Sequence, residues 1–156
     1  MSILLRKGHL EDLEQLLILF TETIQHTCKQ DYTEKQIEVW TASTKNIERW
    51  ITRLTQQFFL VAETDGIITG FSSLENNNYV DVMYVHKNYQ GKKIAHTLLH
   101  AIENKARQLG AVQLITDASI TAKPFFAKQG FEIEKENKLS INGVAISNFR
   151  MMKPLV

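Results

Sequence analysis

Residues 84–103 read YVHKNYQGKKIAHTLLHAIE, and the change of hydrophobic period inside this stretch decides how the chain folds. Tyr84 and Val85 end a β-rich run that begins at Tyr79. After a polar loop carrying Gln90 and Gly91, apolar residues recur at three- and four-residue spacing from Ile94 through Leu98, Ile102, Ala106 and Leu109. The pattern is strand, loop, then a long helix beginning near Lys92, with Gly110 placed to end it in a left-handed conformation. The first N–H groups of such a helix have no intrahelical partner and attract anions. Each contact there is worth only about 0.3–1 kcal/mol, so a pyrophosphate needs the whole set of amides together with Lys92 and Lys93. Taken alone, a QGKK loop reads more readily as a solvated helix start than as a phosphate cradle.

Working outward, the same periodicities place the other elements. A short strand, Ile3 to Arg6, leads through Gly8 into a helix whose face is Leu10, Leu13, Leu16, Leu17, Phe20 and Ile24. Thr33 and Gln36 form a capping box before Ile37 and Trp40, and Ile47, Trp50, Ile51 and Leu54 make a further amphipathic stretch. Phe58 to Glu63 and Ile67 to Leu74 read as a hairpin turning at Thr64, Asp65 and Gly66, and Tyr79 to Val85 follows the asparagines 76 to 78. Beyond the central helix come a strand from Val112 to Thr116, a helix from Thr121 to Gln129 closed by Gly130, and strands from Phe131 to Leu139 and Val144 to Met152. The expected fold class is α/β (α+β): about seven strands in a mixed, mainly antiparallel sheet, flanked by four or five helices.

A chain of 156 residues with 44% hydrophobic and 22% charged residues is expected to form a single domain, residues 1–156, able to bury a core without disulfides or metals. Eighteen basic residues against seventeen acidic ones, a net charge of +1, give no reason to expect a nucleic-acid partner. The one cysteine, Cys28, rules out an intramolecular disulfide and a cysteine-based zinc site, so the expected home is the reducing cytoplasm. No window approaches the roughly 18 apolar residues of a membrane span, and no secretory signal is visible at the N-terminus. No G-x-G-x-x-G follows the first strand, which disfavours a dinucleotide-binding dehydrogenase.

Two separated blocks carry a family resemblance. Gln90-Gly91-Lys92-Lys93-Ile94-Ala95 resembles the Q/R-x-x-G-x-G/A acyl-CoA loop of the GNAT superfamily, with Lys93 where the central glycine usually stands. Residues 116–131, TDASITAKPFFAKQGF, resemble the superfamily's strand-helix-strand segment ending in Gly130-Phe131. Together with DYTEKQIEVW at 31–40, this segment is similar to the YafP-like branch of bacterial acetyltransferases, across nearly the full chain.

The resemblance implies an acetyl-CoA-dependent N-acetyltransferase acting on a primary amine by direct attack in a ternary complex. Acetyl-CoA would be the cosubstrate, with no metal, and the protein would be a monomer or homodimer with neither membrane nor nucleic-acid partner. It implies a sheet splayed between the strand ending at Val85 and the one ending at Thr116, with the pantetheine arm in the cleft and the Val85 N–H polarising the thioester carbonyl. The cofactor residues would be Met83, Tyr84, Val85, Gln90, Gly91, Lys92, Lys93, Ile94, Ala95, Asp117, Ser119, Phe125 and Phe126. Capping a helix or a turn is the competing role of Ser119 and Asp117.

Direct attack needs a neutral amine, so a base or water chain must take a proton. Asp81 is the first candidate, because strand alternation puts it on one face with Met83 and Val85; pairing with a basic neighbour is its structural alternative. Glu75 is second and His86 third. Phe126 stands where the superfamily places a tyrosine acid, leaving Tyr32, Tyr84 and Tyr89 as replacements. Tyr32, Trp40 and Trp50 could wall the acceptor site, with Asp31 or Glu38 attracting its ammonium, although core packing is the stronger reading of both tryptophans. His26 and Cys28 point to different sides of their helix and do not form a nucleophile and base. The competing functions are a noncatalytic acyl-CoA-binding module, which the missing tyrosine keeps open, and an RNA-directed acetyltransferase, which the charge disfavours.

Overall fold

The computed structural model describes all residues, 1–156. Its elements run β1 (Leu4–Lys7), α1 (Leu13–Thr27), α2 (Glu34–Thr41), α3 (Ile47–Gln56), β2 (Phe58–Thr64), β3 (Ile67–Glu75), β4 (Tyr79–Val85), α4 (Ile94–Gln108), β5 (Gln113–Ala118), α5 (Lys123–Lys128), β6 (Glu132–Ile141) and β7 (Val144–Pro154). The strands form one seven-stranded sheet in the order β1-β2-β3-β4-β5-β7-β6, antiparallel except where β4 runs parallel to β5. The sequence-based fold class and element order hold.

Two hydrophobic clusters cover the two faces of the sheet. Ile94, Leu98, Leu99, Ile102 and Ala106 of α4 and Phe126 of α5 pack with Leu60, Leu74, Val80, Val85 and Leu114 on one side. Leu16, Leu19, Phe20 and Ile24 of α1 and Trp50 and Leu54 of α3 pack with Phe59, Val61, Phe71 and Val82 on the other. Trp50 is fully buried, edge-on to Phe20 and Phe71 with ring centroids 5.0 and 6.1 Å away. It is a core residue and not a wall of the acceptor site.

The first helix begins later than its periodicity suggests. Asp12 accepts two hydrogen bonds from the Arg6 guanidinium, each at 2.9 Å, and one from the His9 N–H at 2.8 Å. These bonds hold Leu10–Asp12 as a 3₁₀ turn, so Leu10 is left 53% exposed while Leu19 joins the buried stripe. At the β2–β3 turn, Thr64 pairs directly with Ile67, and Asp65 and Gly66 have φ of 54° and 78°. That geometry is a two-residue hairpin with both central residues at positive φ, the type whose twist matches the flanking strands.

β4 and β5 touch at only two registers, Tyr79↔Ile115 and Val80↔Thr116, before they diverge. Beyond Thr116, β5 continues against β7 and not against β4. The other irregularity lies in β4 itself: Leu74 pairs with Val80, but Ser72 pairs with Met83, so Asp81 and Val82 together oppose one residue of β3. This bulge breaks the two-residue alternation. Val80, Met83 and Val85 face α4, whereas Val82 and Tyr84 face α1 and α3, and Asp81 bonds Arg53 of α3. The expectation that Asp81 shares a face with Met83 and Val85 is therefore incorrect, because alternation assumes an unbulged strand.

The close approach of α4 to β3 depends on Gly70. A Cβ there would lie 2.9 Å from Ile94 Cγ2 and 3.1 Å from the Tyr84 carbonyl oxygen. The variant Gly70→Ala is expected to lower the unfolding free energy by about 1–3 kcal/mol through overpacking, read from the urea midpoint. An unchanged midpoint would show that α4 does not sit this close to the sheet.

Candidate active site

The diverging ends of β4 and β5 open between two adjoining cavities of about 560 and 390 Å³. Trp40, Met83, Tyr84, Ser119, Ala122 and Phe126 line both and form the junction. The smaller cavity runs past Val85 and Tyr89 to Gln90, Gly91, Lys93, Ile94 and Ala95, with Thr23, Cys28 and Phe125 on its sides. The larger lies under α2, α3 and the β6–β7 hairpin.

At the small-cavity end, the backbone is shaped for an anion. Gly91 and Lys93 have φ of 72° and 65°, and Lys93 is the N-cap of α4. The left-handed conformation is the one glycine takes easily and other residues take at a cost. Lys93 thus holds a conformation that favours glycine, and its side chain is exposed and does not crowd the loop. The Lys93 carbonyl accepts from the Thr97 N–H at 3.0 Å and from Thr97 Oγ1 at 2.8 Å. The N–H groups of Ile94, Ala95 and His96, in the first turn, have no intrahelical acceptor. Neither Lys92 nor Lys93 has a carboxylate within 4.0 Å.

The Val85 main chain is fixed from both sides. His86 N–H donates to the Thr69 carbonyl at 2.8 Å, and facing pairs of an antiparallel ladder alternate between bonded and non-bonded. Val85, opposite Gly70, is then in a non-bonded pair, and its N–H points away from β3 into the opening. Its carbonyl accepts from Thr23 Oγ1 at 3.0 Å and Gln90 Nε2 at 2.7 Å. Gln90 therefore acts through its side chain, tying the loop to the strand end; Thr23 was invisible to sequence reasoning because it lies 62 residues away.

In the larger cavity, charges come in pairs. Asp81 Oδ2 accepts from Arg53 Nε and from Gln57 Nε2, both at 2.9 Å, with the Arg53 and Asp81 side chains only 10% and 12% exposed. Asp117 accepts from Arg150 Nε and Nη2 at 2.8 and 2.9 Å, from Tyr79 Oη at 2.6 Å and from Asn137 Nδ2 at 2.8 Å. The Arg150 guanidinium holds the Asp117 carboxyl below the usual carboxylate range, against the opposing effect of burial. Asp117 lines the larger cavity and not the smaller one, where it ties β4, β5 and the last hairpin together.

The remaining sequence candidates divide cleanly. Trp40, Tyr84, Ser119 and Phe126 reach the junction, Phe125 reaches the small cavity, and Ser119 Oγ also accepts from the Ala122 N–H at 3.0 Å. Tyr32 lines the larger cavity, but its hydroxyl accepts from Ile120 N–H and donates to the Ser147 carbonyl, both at 2.9 Å. Glu75 is exposed, accepts from Gln57 at 3.2 Å and lines neither cavity. Asp31 is exposed and bonded to Thr121 Oγ1 at 2.7 Å, and Lys92, Glu38 and His86 also lie outside both linings. Sequence reasoning missed Arg49, Arg53 and the β6–β7 wall at Leu139, Ile141, Asn142 and Ile146; no local signal brings them to Asp81.

A mixed sheet that opens beside a helix start with free amides offers an anion site next to a main-chain donor, the parts that an acyl-CoA-dependent transferase needs. The family model for the acetyltransferase (GNAT) domain matches residues 28–153, and the chain belongs to that family. It is 30% identical over 150 residues to the uncharacterized N-acetyltransferase YafP of Escherichia coli K12, covering 96% of this chain and 95% of that one. It is 28% identical to the spermidine N(1)-acetyltransferase of Thermoplasma acidophilum, over 86% of this chain and 91% of the relative. Among solved structures, the GCN5-related N-acetyltransferase of Rhodopseudomonas palustris superposes with a TM-score of 0.95 at 34% identity, covering 99% of this chain and 96% of that one. The PaiA N-acetyltransferase of T. acidophilum, solved in complex with coenzyme A, superposes at 0.81 with 27% identity, covering 99% of each.

Replacing Asp117 by Asn is expected to lower stability at pH 7 by about 1.5 kcal/mol, the low end for a charged hydrogen bond because Arg150 is 34% exposed. A depressed folded pKa means the contribution is full above the unfolded value of about 3.9 and is lost as pH falls through the folded one. The wild-type advantage over Asp117→Asn in denaturant titrations should therefore shrink below pH of about 4. A constant gap down to pH 2.5 would contradict the pairing.

Proposed function

We propose that the protein transfers an acetyl group from acetyl-CoA to an amine by direct attack in a ternary complex. The observation that carries this reading is the Val85 N–H turned into the sheet opening, next to the unpaired amides of the first turn of α4. The coenzyme A complex of the PaiA acetyltransferase supports the choice of donor. Acetyl-CoA, when bound, supplies an acetyl group already activated as a thioester. The Ile94, Ala95 and His96 amides and the Gly91–Lys93 loop hold its pyrophosphate, with Lys92 and Lys93 adding charge. Met83, Ser119, Phe125 and Phe126 flank the arm, and the Val85 N–H donates to the thioester oxygen, where negative charge grows as the amine attacks.

On the acceptor side, Asp81 keeps Oδ1 free of any hydrogen bond while Oδ2 is held by Arg53 and Gln57. In this reading Oδ1 orients the acceptor's ammonium and receives its proton, directly or through one water. Tyr84 takes the acid's place left by Phe126. It lines both cavities, and a phenol, whose ordinary pKa is about 10, carries its proton at neutral pH. Tyr32 is excluded from that role because its hydroxyl is already committed to the main chain. A cytoplasmic setting belongs to the same proposal; its support is that Cys28 is a buried free thiol.

The test is coenzyme A titration by calorimetry, followed by thiol release and product mass with an amine panel. Removing one helix-terminus charge contact of about 0.3–1 kcal/mol predicts that Lys93→Ala weakens coenzyme A about two- to fivefold, and Lys93→Glu more. Asp81→Asn is expected to lower kcat by about 10²-fold or more, the usual contribution of a positioned base, and full activity across pH would remove Asp81 from that role. Failure of coenzyme A to bind at all would overturn the function, and binding without turnover of any amine would leave a cofactor-binding module.

A further inference from the structure

We propose that the acceptor is a monoamine with an apolar body and a single carboxylate, as in an apolar α-amino acid, and that Arg49 binds this carboxylate at the mouth of the larger cavity. The inference rests on the transferase reading and identifies its substrate class.

The charges that line the cavity are Arg49, Arg53, Asp81 and Asp117, with no lysine or glutamate among them. Asp81 is paired with Arg53 and Asp117 with Arg150 at 2.9 and 2.8 Å. Each carboxylate is thus neutralised from within the protein. Arg49 alone has no carboxylate within 4.0 Å and no side-chain hydrogen bond. It is exposed on α3, four residues before Arg53 on the same helix face, about 6 Å along the axis. A ligand whose ammonium meets Asp81 therefore finds the unpaired guanidinium within reach of an adjacent carboxylate, and guanidinium–carboxylate geometry favours a two-pronged contact.

A polyamine requires the opposite arrangement. Its second ammonium would need a free carboxylate, and the lining offers only carboxylates already held by arginine, beside an uncompensated positive charge. The spermidine specificity named for the T. acidophilum relative accordingly does not transfer. The rest of the wall fits a hydrocarbon or aromatic side chain: Phe20, Val39, Trp40, Leu139, Ile141 and Ile146 contribute apolar surface.

The experiment compares kcat/KM for phenylalanine, phenylalaninamide and spermidine in wild type and Arg49→Ala, following thiol release and product mass. The acid should exceed the amide by about two- to fivefold, the equivalent of one exposed ion pair, and spermidine should be the poorest. In Arg49→Ala the acid-to-amide ratio should fall toward one, and in Arg49→Glu the amide should be preferred. Equal use of acid and amide, a preference for spermidine, or a ratio unmoved by Arg49→Ala overturns the proposal. A calorimetric titration of N-acetylphenylalanine against its amide reads the same subsite without turnover. Arg49-dependent binding of this acid by a protein that ignores coenzyme A would defeat the transferase reading and leave the subsite standing. Turnover of amines without any acid preference would do the reverse.

Discussion

The separation of β4 from β5 is the constraint on which the rest of the structure depends. Two strands that pair at Tyr79↔Ile115 and Val80↔Thr116 and nowhere else leave main-chain donors and acceptors unpaired in the middle of a sheet. Buried groups of that kind are costly unless water or a ligand satisfies them. The fold stabilises the parting at its apex. Thr116 Oγ1 donates to the Val80 carbonyl at 3.0 Å, the Ile115 N–H donates to the Asn78 carbonyl at 2.8 Å, and Asp117 gathers Tyr79 and Arg150 just beyond. The gap is a held geometry, and it places the Val85 N–H, the start of α4 and the larger cavity around one point.

Once the sheet is open, the electrostatics divide the two cavities. The small one ends in unpaired amides and Lys93, which has no carboxylate within 4.0 Å, an arrangement that suits a polyanion. The large one holds its carboxylates against arginines, so its net preference is set by what remains unpaired. Membership of the GNAT family accounts for the first cavity as a type. The second is built by α2, α3 and the last hairpin, and the α2–hairpin contact is secured by Gln36 Nε2 on the Ala145 carbonyl at 2.9 Å and Tyr32 Oη on the Ser147 carbonyl.

Much of this was legible in the chain. The α4 face of Ile94, Leu98, Ile102 and Ala106 follows from local period, which that helix obeys strictly, and the β4 limits at Tyr79 and Val85 follow from the polar turn and loop residues on either side. Asp81 was misplaced because a bulge inserts one residue into β4, and a bulge has no signature in a run such as Tyr-Val-Asp-Val-Met-Tyr-Val. Leu10 was read as buried because periodicity cannot detect the Arg6–Asp12 ion pair that replaces its helical turn. Trp40 and Trp50 occupy equivalent phases of their helices, yet one lines both cavities and the other is sealed in the core.

The sequence by itself determined the order of elements, the family, and the loop at Gln90–Ala95, because each of these depends on residues within a few positions of one another. It did not determine which side chains meet across the opening. Arg53 and Asp81 are 28 residues apart, Thr23 and Val85 62, Tyr32 and Ser147 115. Only the packing of the helices on the two faces of the sheet brings these partners within hydrogen-bonding distance, and local patterns carry no information about distances that tertiary packing sets.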